Sequence, residues 1–139
     1  TESDDGSAHQ IVILDTIGEL GRLYSLADVV FVGGSFVRVG GHNILEPAAH
    51  GKPVLVGPFM FNFKEIFKLL SERGVCIMCN TPEDFEEELL ALLADRQKMQ
   101  KMGQVALEVV RENQGATGRN IAAFEKLLAE CHVQLKGHK

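Results

Sequence analysis

The chain has 139 residues, 45% of them apolar and 24% charged, with a formal net charge of −5. That length makes one folded unit and buries roughly two-thirds of the surface its unfolded chain exposes, which excludes a wholly disordered protein. Fourteen Lys and Arg scattered among nineteen Asp and Glu leave no basic face for nucleic acid, and no apolar run approaches the ~18 residues of a membrane span.

In chain order, residues 1–10 (TESDDGSAHQ) read as a flexible lead-in. Four continuous apolar runs follow: Ile11–Asp15, Val29–Val32, Pro53–Gly57 and Val75–Cys79. Runs that are rich in Val and Ile and do not alternate suit strands buried on both faces of a parallel sheet. Their starts lie 18, 24 and 22 residues apart, enough for a crossover helix each time. The first such helix is Glu19–Ala27, with Leu20, Leu23, Tyr24 and Ala27 on one stripe; the second is Asn43–His50, stopped by Gly51; the third is Phe63–Arg73, stopped by Gly74. Thr81-Pro82-Glu83-Asp84 then supplies a cap, a proline at the first helical position and acids in the first turn, which predicts a helix through Leu93. Helices over about 95–113 and 117–131 and a fraying tail, 132–139, complete the reading. The predicted fold is α/β: a Rossmann-like parallel sheet of four strands with crossover helices and a C-terminal helical segment. Such domains commonly have about six strands, so the sheet is expected to be cut short at its N-terminal side.

Cys76 and Cys79 form a C-x-x-C inside the fourth run. Residues three apart on a strand point to opposite faces, so the pair reads as core thiols and not as a chelating or redox pair. Three cysteines need no disulfide, which fits a reducing compartment. No zinc-ligand spacing, phosphate-binding Walker loop or Ser-His-Asp arrangement occurs, and neither metal nor cofactor is expected.

Ligands of open parallel sheets bind at the carboxyl ends of the strands. After the second run comes Gly33-Gly34-Ser35, then Gly40-Gly41-His42-Asn43-Ile44-Leu45-Glu46. Two Gly-Gly pairs permit positive φ and close backbone approach, and amides at a helix start suit a phosphate. A long loop that merely needs tight turns has the same glycines. Asn43 and Glu46 have the spacing of a capping box, yet Pro47 prefers the first helical position and would make Glu46 the cap. A carboxylate near a strand end also suits ribose hydroxyls. Phe59, Phe61, Phe63 and Phe67 read as core or interface, and Arg38 as the one cation of the glycine loop.

Gly33-Gly34-Ser35, Gly40-Gly41-His42-Asn43-Ile44-Leu45-Glu46-Pro47-Ala48, Gly51-Lys52-Pro53-Val54, Gly57-Pro58 and Asn62-Phe63-Lys64-Glu65 form one ordered series, preceded by Asp15-Thr16-Ile17-Gly18-Glu19-Leu20. This series closely resembles the C-terminal part of bacterial 3-deoxy-D-manno-octulosonic acid (Kdo) transferases, over about residues 11–128. The resemblance implies the C-terminal domain of a GT-B glycosyltransferase, so residues 11–131 would be an N-terminally shortened nucleotide-sugar-binding domain. The enzyme so implied takes Kdo from CMP-Kdo to a lipid A precursor, at the cytoplasmic face of the bacterial inner membrane, in lipopolysaccharide synthesis. Carried over by position, Ile17, Gly18 and Glu19 resemble one CMP-binding segment and Asn43, Ile44, Leu45 and Glu46 the other, with Glu46 as ribose partner. Ser35, Gly40, Gly41 and His42 would form a loop for the donor phosphate or sugar. The catalytic carboxylate, the acceptor site and the membrane contact would belong to an N-terminal domain outside this sequence, so no catalytic residue is assigned here and the chain alone is expected to be inactive. The competing readings are a UDP-sugar-binding domain of another GT-B enzyme or epimerase, and a non-catalytic α/β interaction module.

Overall fold

The structure is a computed structural model and describes residues 11–114. The expected helix over 117–131, the lead-in and the tail lie outside the described residues. Three strands form a parallel sheet in the order β1 (Val30–Val32), β2 (Val54–Val56), β3 (Cys76–Met78). Val30, Phe31 and Val32 lie opposite Val54, Leu55 and Val56, which in turn face Cys76, Ile77 and Met78. The helices are α1 (Leu20–Leu26), α2 (Leu45–Ala49), α3 (Lys64–Glu72), α4 (Pro82–Ala94) and α5 over 96–114, with a short 3₁₀ turn at Phe61–Phe63.

The first expected strand does not form. Ile11, Val12 and Ile13 are 84%, 81% and 85% exposed and join no ladder. A strand is stabilised by a neighbour that takes its N–H and C=O groups and covers its side chains. Here the outer edge of β1 borders an open hollow of about 930 Å³, which Val12 lines without pairing across it. Among the described residues the sheet therefore has three strands, not four.

The other three runs are strands because β2 is buried on both faces and gives β1 and β3 a partner on either side. Val32, Val54, Val56 and Cys76 share one core with Ile44 and Ala48 at α2, Leu70 of α3 and Ala106 and Val109 of α5. Leu55 and Cys79 face the other way, into a core with Leu92 of α4 and Met102 of α5. Two residue types that sit side by side in the sequence are thus separated by the sheet, as the period of two requires. The C-x-x-C thiols fall on opposite faces, and burial pushes the Cys76 thiol up to about 12.

Helix ends follow their sequence signals. Thr81 Oγ1 accepts from the Asp84 amide at 3.1 Å, and the Asp84 carboxylate accepts from the Thr81 amide at 3.3 Å, with Pro82 opening α4. Gly51 and Gly74, just past α2 and α3, have φ of +67° and +71°, the left-handed stop that glycine takes at least cost. Gly51 has a second role. The helix α5 crosses it so closely that a Cβ on Gly103 would stand 2.2 Å from the Gly51 carbonyl oxygen. Arg73, past the end of α3, adds a surface clasp to α5 through Glu112 at 2.9 and 3.4 Å.

Candidate nucleotide site

The carboxyl ends of β1 and β2 open into two loops, 33–43 and 57–63, and the hollow beside β1 ends against the first of them. Its lining is apolar along β1 and at Leu20 and Leu23 of α1, and polar at His42, Asn43, Glu46 and Tyr24, the side here called its mouth. The stripe that the sequence places on the first helix, Leu20, Leu23, Tyr24 and Ala27, lines this hollow, and no residue of α1 is buried.

Asn43 organises the mouth. Its Oδ1 accepts from the Leu45 amide at 3.0 Å, and its Nδ2 donates to Glu46 Oε1 at 3.1 Å. Asn43 and Glu46 are thus neither a reciprocal capping box nor alternative caps. Ile44 is the N-cap of α2, with no side-chain bond, and Pro47 is the third helical residue. One side chain closes the turn that leads into α2, through the Leu45 amide, and orients the carboxylate. Among the described residues the second Glu46 oxygen has no partner, and Glu46 is exposed. Between Asn43 and Glu46, the Ile44 side chain is fully buried in the core, so of the four residues it offers a ligand only backbone. With five residues, α2 is a single turn, and its Leu45 amide is already taken by Asn43. A long helix dipole aimed at a phosphate is therefore not what this site provides.

The glycine loop is turned towards protein. Ser35 is fully buried; its hydroxyl donates to the Val32 carbonyl at 2.5 Å and accepts from the Gly57 amide at 2.8 Å. It pins the end of β1 to the end of β2 and has no lone face for a ligand. Gly40 and Gly41, with φ of +97° and +74°, are buried, and a Cβ at either would collide with Asn62 or with Met60 at 2.3 Å. These glycines make room for the neighbouring loop. His42 does reach the mouth, its ring lying against Gly34, where a Cβ would come within 3.1 Å of Nε2.

The segment Ile17–Glu19 stands outside the lining of the hollow. Ile17 is fully exposed, Gly18 turns the chain with φ of +90°, and Glu19 caps α1 while accepting a bond from the Thr16 hydroxyl. The structure thus gathers His42, Asn43 and Glu46 and leaves Ile17, Gly18 and Glu19 as a separate exposed turn at the start of α1. It also adds Tyr24, which sequence reasoning assigned to a helix stripe alone. Its ring lies 5.6 Å from that of His50, and burial, helped by the negative Glu46, raises its phenol pKa. The available signal was that Tyr24 is the one tyrosine of the chain. Among the described residues no group of three His, Cys, Asp or Glu side chains is placed to hold a metal, and no helix is long and apolar enough to cross a membrane.

Comparisons with known proteins bear on this geometry. The family model described as glycosyl transferases group 1 matches residues 3–109. A 3-deoxy-D-manno-octulosonic acid transferase of Haemophilus influenzae is 42% identical over 111 residues, 79% of this chain and 26% of the relative. One from Bordetella pertussis is 36% identical over 125 residues, 90% and 29% respectively. The crystal structure of the C-terminal CMP-Kdo binding domain of WaaA from Acinetobacter baumannii superposes with a TM-score of 0.65 at 35% identity, covering 70% of this chain and 51% of that domain. The chain thus spans roughly a quarter of the length of these curated relatives. Its parallel sheet, its ordered glycine series and the family model spanning most of its length place the chain among the group 1 glycosyl transferases.

Proposed function

We propose that this chain is the donor-nucleotide part of a Kdo transferase, holding CMP-Kdo at the carboxyl end of β1. The observation that carries the reading is the pair Asn43–Glu46, set at the polar mouth of the hollow in a chain whose fold matches a CMP-Kdo binding domain. A carboxylate held at 3.1 Å by one amide and open on its other oxygen accepts from ribose hydroxyls without having to be ordered first. His42 stands beside it as the donor-loop group with access to the ligand, while the exposed turn Ile17–Glu19 contacts CMP from the α1 side.

The chemistry asked of this part is limited. The bond from the anomeric carbon to the CMP phosphate breaks, an acceptor hydroxyl forms the new bond to that carbon, and CMP leaves as a phosphate monoester. The chain's share is to fix the donor so that this carbon faces the acceptor. The acceptor, a lipid A precursor, and the carboxylate that takes its proton belong to the remainder of the larger protein, which works at the cytoplasmic face of the inner membrane. The 139 residues alone bind and do not transfer.

Titrating CMP, with UMP as control, into the isotope-labelled chain tests this through its backbone amide resonances. Shifts at Ile17–Glu19 and His42–Glu46, larger with CMP, are expected. Glu46→Ala should weaken CMP about ten- to a hundredfold, the worth of a lost charged hydrogen bond, with the fold unchanged. UMP binding better than CMP would favour a UDP-sugar enzyme of the same family, and no response to either nucleotide would sink the donor-site reading.

A further inference from the structure

We propose that Asn62 is a positioning residue of this site: it latches the C-terminal end of the glycine loop, and with it His42 and Asn43, to the loop that follows β2. The proposal rests on the donor-site reading above. Asn62 holds two consecutive carbonyls of the other loop, its Nδ2 donating to Val39 O at 3.0 Å and its backbone amide to Gly40 O at 3.3 Å. The approach is close enough to exclude any side chain opposite: a Cβ on Gly40 would lie 2.3 Å from Asn62 Nδ2 and 2.6 Å from the Phe61 ring. Two different residues are thus fitted to one contact, which an incidental surface bond does not require.

The loop needs such a latch. Ser35 fixes its start, through Val32 and Gly57, and the Phe59 amide adds a bond to Ser35 O at 2.9 Å. Beyond that point Val37 and Val39 are 57% and 59% exposed, and Arg38 rests over the Phe59 ring at 5.7 Å. Apart from Gly41 bonding back to Gly34 O at 3.1 Å, Asn62 makes the hydrogen bonds that return the chain to the body of the domain before His42. Asn62 is itself exposed. Removing its amide therefore takes little from the core, yet it frees the segment whose next residues line the mouth. Binding would then have to order that segment, at a cost in conformational entropy that the native latch removes in advance.

The test compares Asn62→Ala and Asn62→Asp with the wild-type chain by amide hydrogen exchange, thermal unfolding and CMP titration. Asp keeps the size of Asn but offers only acceptors at neutral pH to a carbonyl that needs a donor. In both variants exchange of the hydrogen-bonded Val39 and Gly41 amides should accelerate about tenfold or more while β2 and β3 amides keep their rates, and the CMP dissociation constant should rise about three- to tenfold. Unchanged exchange at Val39 and Gly41, acceleration spread evenly over the sheet, or an Asp variant that behaves as wild type would overturn the latch. Loosened exchange with CMP affinity intact would overturn its role in donor binding. A wild-type chain that ignores CMP would sink the donor-site reading itself, and the exchange rates would still decide whether the latch exists.

Discussion

Replacing Ser35 by alanine separates two roles that the sequence leaves equivalent. If Ser35 touches a ligand, the variant folds normally and binds poorly. The structure gives the opposite expectation. The hydroxyl is fully buried, donating to Val32 O at 2.5 Å and accepting from Gly57 N at 2.8 Å. Alanine fills nearly the same volume but leaves a buried amide and a buried carbonyl each short of a partner. Gly57 packs so closely on this loop that a Cβ there would sit 2.4 Å from Ser35 O. An orphaned buried polar group costs about 1–3 kcal/mol, and a carbonyl tolerates the loss better than an amide, which makes about 2–3 kcal/mol the expected sum. For a domain of this length that is roughly 7–10 °C in the midpoint of thermal unfolding, from about 2.1 cal/mol/K of unfolding entropy per residue. Urea titration followed by circular dichroism measures it: the midpoint should fall with the slope unchanged. A loss below about 0.5 kcal/mol combined with weakened CMP binding would refute the argument and return Ser35 to the ligand.

Three further outcomes follow from burial. Gly103→Ala should destabilise by about 1–3 kcal/mol through overpacking, since its Cβ would meet Gly51 O at 2.2 Å; denaturation of the variant checks this, and a neutral result would mean that α5 stands off from Gly51. Cys76, whose thiol is pushed up to about 12 by burial and secondarily by Cys79, should resist iodoacetamide at pH 8 in the folded chain and react once unfolded, as read by peptide mass spectrometry. The folded state keeps this thiol neutral while the unfolded thiol ionises near 8.5. Its contribution to stability is therefore complete below that pH and is lost as pH rises towards 12, which a pH series of urea midpoints would show.

The parts of the fold legible in the sequence are those decided by short-range rules or by burial on two sides. The Thr81–Asp84 box, the glycine stops after α2 and α3, and the continuous Val-rich runs at β1, β2 and β3 each carry their own signal. Ile11–Asp15 carries the same signal as those runs and is not a strand, because a hydrophobic run specifies only that partners are wanted. Among the candidate site residues, spacing singled out Asn43 and Glu46 as a pair but not their arrangement. Whether they cap, pair or bind depends on where α2 begins, and that is set by Ile44 sinking into the core. The glycines were legible as close approaches, though not as approaches to protein, since Asn62 and Met60 lie about twenty residues away in sequence. Tyr24 belonged to an apolar stripe until the geometry set it beside Glu46 and His50.

The meeting of Gly51 with Gly103 has a mechanical consequence. At Met102, Ala106 and Val109 α5 meets the domain through side chains. At Gly51 two stretches of main chain meet with no side chain between them, and the Leu107 side chain closes the other flank at 3.2 Å from where a Gly51 Cβ would be. That joint has no compliant layer. A shift of α5 along its axis is handed directly to the turn after α2, one residue beyond His50, which itself hydrogen-bonds Glu46 O at 2.9 Å. The turn that follows α2 is therefore backed by α5 with main chain against main chain, and a displacement of either element has to be taken up there by backbone.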